Sequence, residues 1–146
     1  MQVFTSYENL PDEVRDGVVA IGNFDGVHRG HQVVINEAGQ YAKAGGVPWS
    51  VLTFEPHPRR VFAPDGPPFR LTPAVSKARA IEALGVDALI VLTFDKSFSE
   101  RSADSFVDDV LVGGLKAQHV VAGYDFKFGH KRAGNCELLL RKGRQE

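Results

Sequence analysis

Thiol chemistry is almost missing from this chain: Cys136 is the one cysteine in 146 residues. A single cysteine closes no intramolecular disulfide and builds no multi-cysteine metal site, a usage that fits a reducing cytoplasm. An excess of charge of either sign is also missing, because 17 Lys and Arg stand against 18 Asp and Glu for a formal net charge of -1. That balance excludes the broad basic footprint of a nucleic-acid binder, although local basic clusters can still grip small phosphate ligands. No run approaches the roughly 20 apolar residues of a membrane span, and Met1-Gln2-Val3-Phe4-Thr5 lacks the basic-then-apolar layout of a signal peptide. The expectation is a soluble cytoplasmic chain whose partners are small molecules, not nucleic acid or membrane. Its composition, 43% hydrophobic and 24% charged, suits one compact domain long enough to bury a core.

Four short apolar runs rich in β-branched or large side chains, at residues 17–21, 49–54, 88–93 and 119–123, read as buried strands. Stretches of roughly 25 to 35 residues separate them, which is the rhythm of βαβ units and not of hairpins. Helix signals fill the gaps. Residues 32–44 form one helix, stopped by Gly45-Gly46. Thr72-Pro73 offers a cap and a first-turn proline for a second, which Gly85 ends just beyond Leu84. Ser102 caps a third, in which Phe106, Val107, Val110 and Leu111 share a face ahead of Gly113-Gly114. A short helix over 137–141 follows. The proline-rich stretch at 63–68 reads as a rigid surface turn. Right-handed crossovers then predict a doubly wound parallel α/β sheet, Rossmann-like, with ligands outside the carboxyl ends of the strands.

The first of these strands runs into Gly22-Asn23-Phe24-Asp25-Gly26-Val27-His28-Arg29-Gly30-His31. Glycines at Gly22, Gly26 and Gly30 let the backbone turn tightly beside a ligand, and the free N–H groups of a helix start attract anions. Neither the P-loop nor the dinucleotide-binding glycine spacing is present. His28 and His31 fall on one face of the helix start, where two imidazoles can stabilise charge on a phosphoryl group in transfer. Taken as an isolated pair, they more often cap or pack a first turn; the glycines around them favour the phosphate reading. Zinc ligation is the weaker alternative, since no Glu lies between them and no third ligand is local.

Thr53-Phe54-Glu55-Pro56-His57-Pro58-Arg59, with Phe62 beyond it, forms a proline-stiffened loop that presents side chains with little entropy left to lose on binding. Leu92-Thr93-Phe94-Asp95 ends the third run. After the fourth comes Gly123-Tyr124-Asp125-Phe126-Lys127-Phe128-Gly129-His130-Lys131-Arg132, whose alternating aromatic and basic residues suit a planar ring carrying a phosphate. Read alone, the same loop suits a solvated surface.

Together these segments resemble the bacterial FAD synthetases of the nucleotidylyltransferase superfamily. The His28-Arg29-Gly30-His31 core belongs to the superfamily, and Phe24-Asp25-Gly26-Val27 and the Thr53-to-Pro58 segment narrow the likeness to the flavin branch. The resemblance implies an FMN adenylyltransferase that takes FMN and ATP as substrates with Mg2+. In it His28 and His31 steady the ATP phosphates, while Gly22, Phe24, Asp25 and Gly30 line the nucleotide pocket. Phe54, His57, Phe62, Asp125, Phe128 and Arg132 lie on the flavin side, and Lys127 is a further phosphate candidate. Many relatives carry Asn where Asp125 stands, and Phe106 is packing first and ligand second.

The resemblance also implies parts beyond Glu146: a Ser/Thr-rich segment ending in Arg that holds pyrophosphate, and a riboflavin kinase domain. On that reading residues 1–146 are a C-terminally incomplete adenylyltransferase domain with impaired turnover. Other readings stay open. They are an adenylyltransferase for another phosphate acceptor, such as nicotinamide mononucleotide or phosphopantetheine, a noncatalytic flavin or adenine-nucleotide binder, and a plain structural domain.

Overall fold

A computed structural model of the chain describes residues 1–24, 29–55, 74–93 and 103–122. Among the described residues five strands form one sheet in the order β1-β4-β3-β2-β5. They are β1 (Gln2–Phe4), β2 (Val18–Ile21), β3 (Trp49–Glu55), β4 (Ala88–Thr93) and β5 (His119–Ala122). Every pairing is parallel. The helices are α1 (Arg29–Gly45), α2 (Ala74–Ala83) and α3, which starts over Ala103–Phe106 and continues as a wider π-type helix over Val107–Gly114.

The four apolar runs became β2 to β5 because each is an unbroken stretch of side chains that can be buried on both faces. On β2 all four residues are buried, and alternate ones serve opposite cores. Val19, Ile21, Leu52, Phe54, Ile90 and Leu92 pack on one face against Phe106, Val107, Val110 and Leu111 of α3. Val18, Ala20, Trp49, Val51 and Leu89 pack on the other against Ile35, Ala38 and Ala42 of α1 and Ile81 of α2. The expected doubly wound sheet is therefore present. Its layering follows from chirality: α1 and α2 carry the chain outward from β2 through β3 to β4, whereas α3 carries it back to β5. Crossovers of one hand but opposite direction place their helices on opposite faces.

Three details depart from the sequence reading. Strand β1 was not foreseen, and it is a three-residue strand that pairs with β4 among the described residues (Gln2 opposite Ala88), with Val3 54% exposed. A segment that short and that open has no hydrophobic pattern to read. Helix α1 begins at Arg29, where the glycine motif expects a helix start close to Arg29 or Gly30, and three residues before the bound of 32 taken from the apolar run. The third helix widens toward its end, where Leu115 N donates to Val110 O at 2.9 Å, five residues back. Such π-type turns are often found at functional sites. Gly85 takes φ +100 just after Leu84, as a left-handed helix stop requires. Thr72, Pro73, Ser102 and the helix expected over 137–141 lie outside the described residues.

One contact fixes how α1 lies on the sheet. Trp49 donates its indole N–H to Ile35 O at 3.0 Å, and its ring lies so close to Gly39 that a β-carbon there would sit 2.7 Å from ring carbon Cζ2. Only glycine permits the approach.

Candidate active site

Strands β2 and β5 finish side by side, with Ile21 opposite Ala122. The strand order reverses between them, and in open parallel sheets a ligand binds outside the carboxyl ends at such a point. The chain leaving β2 here is Gly22-Asn23-Phe24. Gly22 extends the ladder by donating its N–H to Leu52 O at 3.2 Å. A β-carbon on Gly22 would come within 3.0 Å of the Phe24 ring, so the turn is built around a missing side chain.

Phe24 is the strained member of the turn. Its φ is +49, in the left-handed region, although it is not a glycine. A conformation of that kind costs on the order of 1 to 3 kcal/mol and persists only where the surroundings impose it. The ring is 3% exposed and meets the His31 ring edge-on, centroids 5.5 Å apart and planes at 83°. Gly30 and His31 are the second and third residues of α1, in its first turn. A helix start beside a half-buried imidazole is an arrangement suited to anionic oxygens. The Oδ1 of Asn23 is shielded from solvent and has no hydrogen-bond partner among the described residues. Such an acceptor costs about 1 to 3 kcal/mol until a donor reaches it.

Beneath the turn lies a polar cluster that the sequence reading did not single out. Lys77 of α2 is 3% exposed. Its Nζ donates to Asn23 O at 2.7 Å, to Thr53 Oγ1 at 3.2 Å and to Phe54 O at 3.4 Å, and it forms an ion pair with Glu55 at 2.8 Å. Thr53 Oγ1 in turn donates to Asn23 O at 2.9 Å. The Asn23 carbonyl thus receives two donors, one from β3 and one from α2. A signal was present: Lys77, Ile81 and Leu84 are spaced to share one helix face, and a lysine on a buried stripe calls for an internal partner.

Of the other expected site residues, Phe54 lies in the core, 4% exposed, with its ring 6.1 Å from that of Phe106. Asp25, His28, His57, Phe62, Asp125, Lys127, Phe128 and Arg132 lie outside the described residues.

Residues 10–146 match the family described as FAD synthetase. The chain belongs to the FAD synthetase family. Across 98% of its length it is 43% identical to the bifunctional riboflavin kinase/FMN adenylyltransferase of Pseudomonas fluorescens and 37% identical to that of Escherichia coli K12. The Listeria monocytogenes protein of the same description is 47% identical over 125 residues, 85% of this chain. The chain spans about half the length of these relatives, 46% of the first two and 40% of the third. A solved structure from Streptococcus pneumoniae, described as a macrolide-efflux protein, superposes with a TM-score of 0.78 at 26% identity, covering 95% of this chain and 45% of that one. That likeness supports the Rossmann-like nucleotidyltransferase fold of this FAD synthetase family member. No helix among the described residues is long and apolar enough to cross a membrane.

Proposed function

We propose that this chain, as the FMN adenylyltransferase domain of its family, transfers the AMP part of ATP to FMN, giving FAD and pyrophosphate. The observation that carries the reading is the glycine-built turn between β2 and α1, with Phe24 and His31 locked together where the strand order reverses. An oxygen of the FMN phosphate attacks the α-phosphorus of ATP. The new bond joins that oxygen to phosphorus, and the bond from the α-phosphorus to the bridging oxygen breaks, releasing pyrophosphate.

No side chain needs to bond covalently to substrate, so the protein acts by position and charge. The N–H groups at the start of α1 and the imidazole of His31, joined by His28, steady the ATP phosphates. The turn at residues 22–24 lines the nucleotide pocket, with Asp25 and Gly30 alongside. Phe54, His57, Phe62, Asp125, Phe128 and Arg132 make up the flavin side. Mg2+ belongs to the reading as the ion ATP brings with it. The described residues gather no group of three His, Cys, Asp or Glu that could hold a metal, and phosphate oxygens with water can supply most of a Mg2+ shell. No step is assigned to the ion on the protein. Cytoplasmic work on free small molecules completes the proposal.

The test is FAD formation from FMN, ATP and Mg2+ by the 146-residue chain and by its His28→Ala and His31→Ala variants. FAD formation by the parent that falls at least a hundredfold in the variants supports the proposal. A parent that binds FMN or ATP but makes no FAD is the noncatalytic binder. A preference for another phosphate acceptor over FMN overturns the flavin assignment.

A further inference from the structure

The buried ammonium of Lys77 is poorly explained by stability. Taking a charge out of water costs several kcal/mol, and its attraction to a buried carboxylate often does no more than break even against apolar side chains of the same volume. A methionine at this position of α2 would pack against Ile81 without that cost. What the ammonium does that an apolar side chain cannot is hold oxygens of two neighbouring segments at once. It grips Asn23 O at 2.7 Å, one residue before Phe24 takes its left-handed φ of +49. It also grips Thr53 Oγ1, Phe54 O and Glu55, the last three residues of β3, from which the chain enters Pro56-His57-Pro58. An ammonium has three N–H groups, and four oxygens of the described residues share them.

We infer that Lys77 is a positioning residue that ties the turn at residues 22–24 to the end of β3, and so holds the nucleotide-side loop in its binding shape. Thr53 is its relay, donating to the same Asn23 carbonyl at 2.9 Å. The naming of that loop as the nucleotide side rests on the function proposed above; the tie itself does not. Removing the tie frees the turn to leave the strained Phe24 geometry, which separates the ring from His31 and spreads the helix start. ATP binding suffers with it, because the shortest of these bonds is the one to Asn23 O in the turn.

Three variants of the 146-residue chain separate positioning from plain stability. Lys77→Met removes the ammonium, Lys77→Met/Glu55→Gln removes the whole buried pair and with it the unpaired charge, and Thr53→Val removes the relay while keeping shape. Amide hydrogen exchange is read over residues 22–24 and 29–31 and, as control, over β4. The loop amides exchange about tenfold faster in the first two variants, as the loss of a charge-assisted hydrogen bond predicts, and a few-fold faster in Thr53→Val. Amides of β4 change less than twofold in the double variant and in Thr53→Val. The double variant regains the parent's Tm yet keeps an ATP KM raised about tenfold.

If the double variant recovers loop protection together with Tm, or if Thr53→Val leaves loop exchange as it was, Lys77 is structural only and the inference falls. Should Lys77→Met fail to fold, the Thr53→Val exchange decides alone. A parent chain that forms no FAD removes the proposed activity, while loop exchange still decides whether Lys77 positions the turn.

Discussion

His31, in the first turn of α1, stands edge-on to Phe24, in the turn at residues 22–24, with ring planes at 83° and centroids 5.5 Å apart. The contact joins a residue in a costly backbone conformation to an imidazole at a helix start. Phe24→Ala should therefore do two separable things. Losing a 3%-exposed ring from the cluster of Ile35, Ala38 and Val51 costs about 3 kcal/mol, offset only slightly by any relief of strain. Urea unfolding measures that cost. Loss of the ring edge also frees the His31 side chain, so ATP should bind at least tenfold more weakly under conditions where the variant stays folded. Isothermal titration with ATP reads this, and unchanged affinity would show that His31 needs no support from Phe24.

Gly39→Ala tests the seating of α1 on the sheet. A methyl group 2.7 Å from Cζ2 of Trp49 cannot be accommodated without moving the ring, and overpacking of this kind costs about 1 to 3 kcal/mol. The indole N–H to Ile35 O bond at 3.0 Å should lengthen or break as well. Because Trp49 is the one tryptophan of the chain, its fluorescence reports the change directly. The emission should shift in Gly39→Ala. Gly39→Ala/Trp49→Phe should be less destabilised than the sum of the single variants, since a smaller ring leaves room for the methyl. Strict additivity would mean that the two side chains do not compete for the same space.

Much of the fold was legible because the physics behind it is local. Residues 88–93 form a strand as read, and β2, β3 and β5 fall within a residue of their runs over the described span, since unbroken β-branched and leucine runs can be buried only as central strands. Gly85 ends a helix because a left-handed stop needs a residue without a side chain. Strand β1 was not legible, because three residues carry no periodicity. The widening of α3 was not legible either, for over eight residues a π-type face and an α-type face bury the same Val107, Val110 and Leu111. Within the candidate site, Gly22, Gly30 and His31 were read from the glycine spacing around two histidines, and Phe24 from the resemblance to the flavin branch. Lys77 was missed because its meaning depends on Asn23 and Thr53, 54 and 24 residues away in sequence, and only the folded sheet brings the three together.

Gly22→Ala distinguishes a loop shaped for a ligand from one shaped for stability. The added β-carbon would lie 3.0 Å from Cε1 and Cζ of Phe24, a distance at which the ring must give by a few tenths of an ångström. No positive φ is required at Gly22, and its N–H to Leu52 O bond at 3.2 Å can persist. The cost to folding should therefore be small, about 1 kcal/mol, from overpacking against one ring. Movement of the ring is passed to His31 through their edge contact, so the effect on nucleotide binding should exceed the effect on Tm. The expected result is an ATP KM raised about tenfold with Tm lowered by only a few degrees, and with FMN affinity held. If Tm falls sharply while KM for ATP stays at the parent value, the glycine serves the packing of β2 against β3 and the nucleotide pocket lies elsewhere on the carboxyl edge of the sheet.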